Sequence, residues 1–315
     1  MNPAYAIEVN DLKKSFGDLV AVKGVTFHAE RGEIFSLLGP NGAGKSTTIA
    51  MLSTLLRPDN GEAYVMGHSI TGQADAVRAA LGVVPQDIAI YPDLSARENL
   101  NFWGKMYGLR GAALKARVDE VLDIIGLADR QKGATGKFSG GMKRRLNIGI
   151  ALLHRPQVVI MDEPTVGIDP QSRRHILDNV KDLNRQGMTV LYTTHYMEEA
   201  AELSHHIAIM DQGKVIAAGT HDELIKLVGG RDRLTLTLNV EPDAVIEAWR
   251  RVEGVDQLDR TDGAIALLVE DSNVVLPRLF DAANKAGVRI TSVDIREPNL
   301  EAVFLYLTGR ALRDG

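Results

Sequence analysis

Gly39-Pro40-Asn41-Gly42-Ala43-Gly44-Lys45-Ser46-Thr47 is the stretch on which the reading of this chain turns. The apolar run Ile34-Phe35-Ser36-Leu37-Leu38 before it predicts a short buried strand, and Thr48-Ile49-Ala50-Met51-Leu52 after it predicts a helix. A GxxxxGK[ST] pattern between strand and helix builds a phosphate cradle. Its glycines let the backbone wrap closely, because positive φ costs them little. Its N–H groups face an anion at the positive end of the helix dipole. Lys45 supplies a point charge for β- and γ-phosphates, and Ser46 a hydroxyl for Mg²⁺. Lys45 is expected on a loop, supporting no core. The plainer alternative, a glycine turn that happens to hold a lysine, needs neither the strand nor the helix.

Further along, Gln157-Val158-Val159-Ile160-Met161-Asp162-Glu163-Pro164 reads as a central strand buried on both faces, with two carboxylates at its C-terminal end. Open α/β sheets hold ligands at that edge. Adjacent buried acids need a counter-charge. Asp162 fits a magnesium partner acting through water, and Glu163 a base that orients an attacking water; the bland reading is an exposed turn. Thr189-Val190-Leu191-Tyr192-Thr193-Thr194 is a second buried strand, and it puts His195 on the same edge. Asp169-Pro170 opens a helix with proline at its first position, so Asp169 is a good N-cap, and any functional role competes with that. Gly140-Gly141 also opens a helix. Inside a helix each glycine costs about 1 kcal/mol against alanine, so exposed N–H groups for a second anion are the expected gain. Phe16, an aromatic before a glycine, fits a stacking face for a purine or plain core.

Composition narrows the function. With 315 residues and a net charge of −5, the chain lacks the footprint of a sequence-independent nucleic-acid binder, and no nucleic-acid partner is expected. The run Lys143-Arg144-Arg145 reads as a solvated helix face. Zero cysteines exclude disulfides and thiolate chemistry, and the eight histidines show no metal-ligand spacing. No apolar stretch approaches membrane length and Met1-Asn2-Pro3 begins no signal peptide, so the chain reads as cytoplasmic, with any membrane role held through a partner.

In order, 5–9 is an exposed strand, Lys13-Lys14-Ser15-Phe16-Gly17 a turn, and 20–27 a further strand pair. Arg57 to Glu62 is a turn cluster before the strand 63–66. The short strand 81–84 ends at Pro85-Gln86-Asp87. Residues about 88–155 turn helical, opened by the capping box Ser95-Ala96-Arg97-Glu98. Another box, Thr220 to Glu223, opens the last helix of an α/β domain covering 1–228. After Gly229-Gly230 the pattern is strand 234–240, helix 242–251, strand 255–260, strand 264–270, helix 272–286 and strand 288–296. That βαββαβ order is ferredoxin-like α+β. A final helix is expected over 297–308 in a 231–315 domain that carries no catalytic motif.

With these residues placed, the chain resembles the nucleotide-binding subunit of an ATP-binding-cassette transporter over about residues 5–228. Gly39, Pro40, Asn41, Gly42, Ala43, Gly44, Lys45, Ser46 and Thr47 match Walker A, and 158–163 Walker B with its catalytic glutamate. Gln86 matches the Q-loop glutamine, which in the family touches magnesium and feels the membrane partner. Phe138-Ser139-Gly140-Gly141-Met142 resembles the signature, Gly167-Ile168-Asp169 the D-loop, and His195 the switch histidine. Phe16 falls at the adenine-stacking aromatic. The tail, with Glu297-Pro298-Asn299-Leu300-Glu301, is similar to daunorubicin-resistance-type exporter ATPases. The signature usually opens with leucine and closes with glutamine, where this chain has Phe138 and Met142.

The resemblance implies a P-loop ATPase powering export through a separate permease, peripheral on the cytoplasmic face of the membrane. It implies ATP and Mg²⁺ as cofactors, with Ser46, Gln86 and Asp162 serving the metal. It implies a head-to-tail dimer in which Ser139, Gly140, Gly141 and Asp169 reach the nucleotide of the opposite subunit. The rival is a non-transport ATPase of the same class. DNA-repair relatives carry a long coiled coil between Q-loop and signature, and none fits between Gln86 and Phe138. A regulator without turnover would lack the acid that Glu163 provides.

Overall fold

The computed structural model describes residues 4–239, 243–261, 264–296 and 298–308. Strands β1 (Tyr5–Phe16) and β2 (Leu19–Glu30) form a hairpin, and β3 (Ile34–Leu38) runs into α1 (Lys45–Leu52). Then come β4 (Asn60–Val65), β5 (His68–Ser69), α2 (Ala74–Ala80) and β6 (Leu81–Val84). Three helices follow: α3 (Ala96–Met106), α4 (Gly111–Ile124) and α5 (Gly140–Leu152). The chain returns through β7 (Val158–Asp162), α6 (Pro170–Arg185), β8 (Thr189–Thr194), α7 (Met197–Leu203), β9 (His206–Asp211), β10 (Lys214–Gly219) and α8 (His221–Lys226). The last stretch holds β11 (Asp232–Leu238), α9 (Asp243–Trp249), β12 (Val255–Thr261), β13 (Ala264–Val269), α10 (Ser272–Lys285), β14 (Ile290–Arg296) and α11 (Leu300–Thr308). Among these described residues no helix is long and apolar enough to cross a membrane.

The six-stranded sheet has the order β10-β9-β3-β8-β7-β6, parallel except for β10 at one edge. Every residue of β3, β7 and β8 is buried, as expected of strands covered on both faces. Successive side chains point to opposite faces, and two cores result. Val159, Met161, Val190 and Tyr192 join Leu100, Val121 and Ile148 of the helical insert in one. Val158, Ile160, Leu191 and Leu37 join α1 and the antiparallel sheet β2-β1-β4-β5 in the other. This is the α/β architecture expected from the sequence, a mostly parallel sheet covered on both faces.

The turn expected over 13–17 is instead the end of β1. Register shifts between Val9 and Leu12, with Asp11 at φ 49, let pairing continue until Phe16 faces Leu19, leaving Gly17-Asp18 as the turn. Strand β4 likewise starts inside the expected turn cluster. Gly61, at φ 80, brings the backbone so near Asp11 that a Cβ there would overlap the Asp11 carbonyl.

The chain divides into two compact units, one ending at His221 and the next beginning at Asp222. The division therefore falls before the glycine pair Gly229-Gly230. The second unit contains an antiparallel sheet ordered β12-β13-β11-β14. That order is the ferredoxin-like arrangement expected from βαββαβ. Leu234, Leu236, Ile265 and Leu279 form a core of its own around Trp249, whose indole N–H donates to the Leu279 carbonyl at 2.9 Å. The expected element ends at Val240, Pro242 and Glu297, and residues 309–315, lie outside the described residues.

Candidate active site

Strand order assembles the site. Strand β8 lies between β3 and β7, so the loop after β3, the acids after β7 and His195 after β8 emerge side by side at the C-terminal sheet edge. The loop Gly39 to Gly44 is held close to its neighbours. A Cβ on Gly39 would overlap the Met210 carbonyl, and one on Gly44, at φ 100, would come within 2.8 Å of the Ala21 carbonyl. Gly213 N–H donates to the Ala43 carbonyl at 3.0 Å and fixes the loop from the β9–β10 turn.

Lys45 is not a free loop residue. It begins α1, is 4% exposed, and donates to the carbonyls of Gly39 at 2.7 Å and Pro40 at 3.1 Å. Its ammonium also lies 3.0 Å from Glu163 Oε1. Glu163 Oε2 lies 3.1 Å from His195 Nδ1. An ionised carboxylate only accepts, so this contact places a proton on Nδ1 and directs Nε2 away from Glu163. Three of the expected residues thus form one chain, Lys45–Glu163–His195.

Glu163 has φ 44, a left-handed conformation that non-glycine residues adopt at a cost of about 1–3 kcal/mol. Its N–H is pinned by Thr193, to the hydroxyl at 3.0 Å and the carbonyl at 3.2 Å. The same hydroxyl donates to Asp162 Oδ1 at 2.6 Å. Thr193 therefore orients both acids from the adjacent strand. Thr193→Val keeps the shape and removes the hydroxyl, so a stability loss of about 1–3 kcal/mol is expected, with at least ~10-fold slower turnover as the acids lose alignment. Urea unfolding midpoints and initial ATPase rates check this; parent values for both would mean that the hydroxyl does not orient the acids.

A cavity of about 640 Å³ lies over the loop. Asn41, Gly42, Ala43, Gly44, Lys45, Ser46 and Thr47 line it, as do Gln86 and Glu163. Phe16, Leu19 and Val20 form its apolar rim and are 50%, 67% and 45% exposed. Exposed apolar side chains gathered at a cavity mouth suit a flat aromatic ring, so Phe16 is a rim residue and not core. Gln212 and Lys23 also line the cavity.

The signature residues do not line this cavity. Ser139 caps α5, accepting from Met142 N–H at 3.2 Å, and Gly140 beside it is exposed. Gly141 is buried, and a Cβ there would overlap the side chain of Ser172 on α6. Its lack of a side chain thus serves helix packing as well as exposing N–H groups. Phe138 and Met142 pack partly buried against the insert core. Asp169 caps α6 as expected, accepting from Ser172 N–H at 2.9 Å, and that bond holds its carboxyl below the usual range.

The run 143–145 is not a solvated face. Arg144 is buried and donates to the carbonyls of Pro85 at 2.7 Å and Gln86 at 2.6 Å. Arg145 donates to the carbonyls of Ile125 and Gly126 at the end of α4, both at 3.1 Å. Burial draws both guanidinium groups below their ordinary pKa. Helix amphipathicity alone hides this, because both carbonyl pairs belong to segments distant in sequence.

Known proteins match throughout. A family model described as ABC transporter covers residues 22–166. The chain is 48% identical over 312 residues to the linearmycin resistance ATP-binding protein LnrL of Bacillus subtilis (strain 168), covering 98% of this chain and 100% of that one. The chain belongs to the ABC transporter ATP-binding proteins. A second model, described as the ATP-binding protein DrrA1-3-like C-terminal domain, covers residues 219–308 of this ABC ATPase. A Nod factor export ATP-binding protein I of Paraburkholderia xenovorans (strain LB400) is 39% identical over 312 residues, 99% of this chain and all of that one. A solved structure described as a dimeric post-hydrolysis state of the ATP-binding cassette MJ0796 bound to ADP and Pi aligns with TM-score 0.61 and 27% identity. It covers 68% of this chain and 98% of that chain. ATP is accordingly the nucleotide of this ATPase.

The sequence reading gives Thr193 and Arg144 no role in the site and does not single out Gln212 or Lys23. Only Thr193 had a signal there, as a hydroxyl in a fully buried strand.

Proposed function

We propose that this ABC ATPase powers export through a separate membrane permease, hydrolysing Mg-ATP between two copies packed head to tail. The division of its machinery carries the reading. The nucleotide cavity contains the phosphate loop, Gln86 and Glu163, whereas Ser139, Gly140, Gly141 and Asp169 do not line it. A second copy would bring those residues to the open side of the nucleotide. The dimeric cassette that the chain resembles, and relatives named for drug resistance and Nod factor export, support this.

Lys45 and the loop amides would hold the β- and γ-phosphates, and Phe16 would stack on adenine. Ser46, Gln86 and Asp162 offer hydroxyl, amide and carboxylate oxygens, a donor set suited to Mg²⁺. Among the described residues no cluster of three or more His, Cys, Asp or Glu could hold a metal, which fits an ion held largely through the nucleotide's own phosphates. When bound, the ion would offset phosphate charge. Glu163 would leave Lys45 to orient the attacking water, and His195 would steady the γ-phosphate, so catalysis is chiefly positioning and charge stabilisation.

The longest helix between Gln86 and Phe138 has 14 residues, which leaves no coiled-coil arm for the non-transport reading. The permease would dock beside Gln86 on the aromatic group Tyr91, Phe102 and Trp103. Tyr91 and Phe102 meet edge-on at 4.9 Å and are 44% and 38% exposed. This docking would hold the chain on the cytoplasmic face of the membrane. The C-terminal domain, residues 231–315, would be an accessory module tuning activity.

Co-expression with a candidate membrane permease from a neighbouring gene tests the proposal. The tagged chain should recover with that protein in membranes, and Tyr91→Asp with Phe102→Asp should reduce recovery at least ~10-fold while the soluble variant keeps its basal ATPase rate. Equal recovery of parent and variant would reject this docking surface.

A further inference from the structure

Glu199 on α7 is a buried acid for which the proposed reaction has no use, being 2% exposed. Its Oε2 accepts from the Tyr192 hydroxyl at 2.9 Å and from the Thr194 hydroxyl at 3.0 Å. The Thr194 Oγ1 in turn accepts from Tyr196 N–H at 2.9 Å. One carboxylate therefore holds the turn on both sides of His195. Burial, and then the nearby Glu199, push the Tyr192 phenol well above its ordinary pKa, so it stays a donor.

The other oxygen looks toward a different element. Glu199 Oε1 lies 3.5 Å from Arg173 Nε, outside hydrogen-bond geometry, and neither atom has another hydrogen-bond partner. Arg173 stands one turn into α6, its N–H donating to the carbonyl of the cap Asp169 at 2.8 Å. Its guanidinium covers the Tyr196 ring at 4.2 Å, and that ring lies 4.2 Å from the His195 ring. The two atoms form an ion pair without a hydrogen bond, and a shift of a few tenths of an ångström would convert it into a charge-assisted hydrogen bond. An apolar side chain would fill the same space without desolvating a charge.

We propose that Glu199 is a positioning residue that ties the His195 turn to the helix capped by Asp169. Movement of α6 reaches His195 through Arg173, Tyr196 and the Glu199–Thr194 contacts. The inference rests on the proposed hydrolysis between two copies, in which Asp169 faces the opposite subunit, and it adds the route by which that contact is felt at the γ-phosphate.

The test uses the full chain. Turnover, KM for Mg-ATP, fluorescent-nucleotide affinity and thermal unfolding are compared for the parent, Glu163→Gln, Glu199→Gln, Arg173→Gln and the Glu199→Gln/Arg173→Gln pair. Glu199→Gln keeps an oxygen for the two hydroxyls and removes the charge facing Arg173. Its kcat should fall about 10–100-fold, the scale of a small misplacement of a reacting group, with KM and nucleotide affinity within about twofold of the parent. Arg173→Gln should give a similar fall, and the pair should be no slower than the slower single variant, as expected of residues acting through one contact. Parent kcat in Glu199→Gln beside an inactive Glu163→Gln would overturn the inference alone. Independent, multiplying losses in the pair would also overturn it, as would a loss fully accounted for by a smaller folded fraction. Glu163→Gln turning over like the parent would bring down the underlying reading and this inference with it. Should Glu199→Gln not fold, Arg173→Gln, with a third of its side chain exposed, decides by the same kcat-against-KM comparison.

Discussion

Glu163→Gln is expected to lower ATP turnover by about 10²–10⁴-fold while nucleotide binding persists. Glutamine preserves the shape at φ 44 and can still accept from Lys45, but it cannot take a proton from water. Lys45 keeps the Gly39 and Pro40 carbonyls, so the variant should fold. Unhydrolysed ATP should then hold two copies together, visible as a dimer by gel filtration in Mg-ATP. Adding Ser139→Arg should abolish that dimer, because a bulky cation would occupy the place of the opposite γ-phosphate. Ser139 is an exposed cap outside the nucleotide cavity, so its replacement should leave ATP binding to the single chain intact. A double variant that still dimerises would argue against the head-to-tail arrangement. Parent turnover in Glu163→Gln would remove the base assignment.

Lys45→Ala should abolish measurable Mg-ATP binding in calorimetric titration, since the cavity loses its main cation at the phosphates. The structure adds a second effect. Removing one partner of a buried ion pair typically costs about 3–5 kcal/mol, because the other charge is left uncompensated. Here Glu163 retains His195, which moderates the loss toward the lower end. Chemical denaturation should therefore show a destabilised but folded variant. Lys45→Met, which keeps the stem packed, should fold comparably and also fail to bind. Normal ATP affinity in either folded variant would exclude the loop as the phosphate site.

Local chemistry made much of this chain legible in advance. The Ser95–Glu98 capping box, the Asp169 cap with Pro170 after it and the strand–loop–helix around Lys45 all depend on residues a few positions apart. Their hydrogen bonds close within one turn, so sequence spacing determines them. The buried strands β3, β7 and β8 were equally plain, because coverage on both faces demands apolar runs. The βαββαβ order of the C-terminal unit follows from the alternation of short strand and helix patterns.

What tertiary structure decided lies between segments. Thr193 grips acids 30 and 31 positions before it, Arg144 holds carbonyls 58 and 59 positions before it, and Glu199 faces an arginine on another helix. Lys45 reads as a loop cation until β8 is inserted between β3 and β7 and Glu163 arrives beside it. The run 143–145 reads as solvated until α5 packs against the end of α4 and the segment after β6. The sequence by itself determined which chemistry this chain carries, because phosphate loops, caps and buried strands are written in near-neighbour spacing. Which groups meet, and which charges are buried against each other, was decided by the order of strands in the sheet, since non-local pairing leaves no periodic trace in the residues that it brings together.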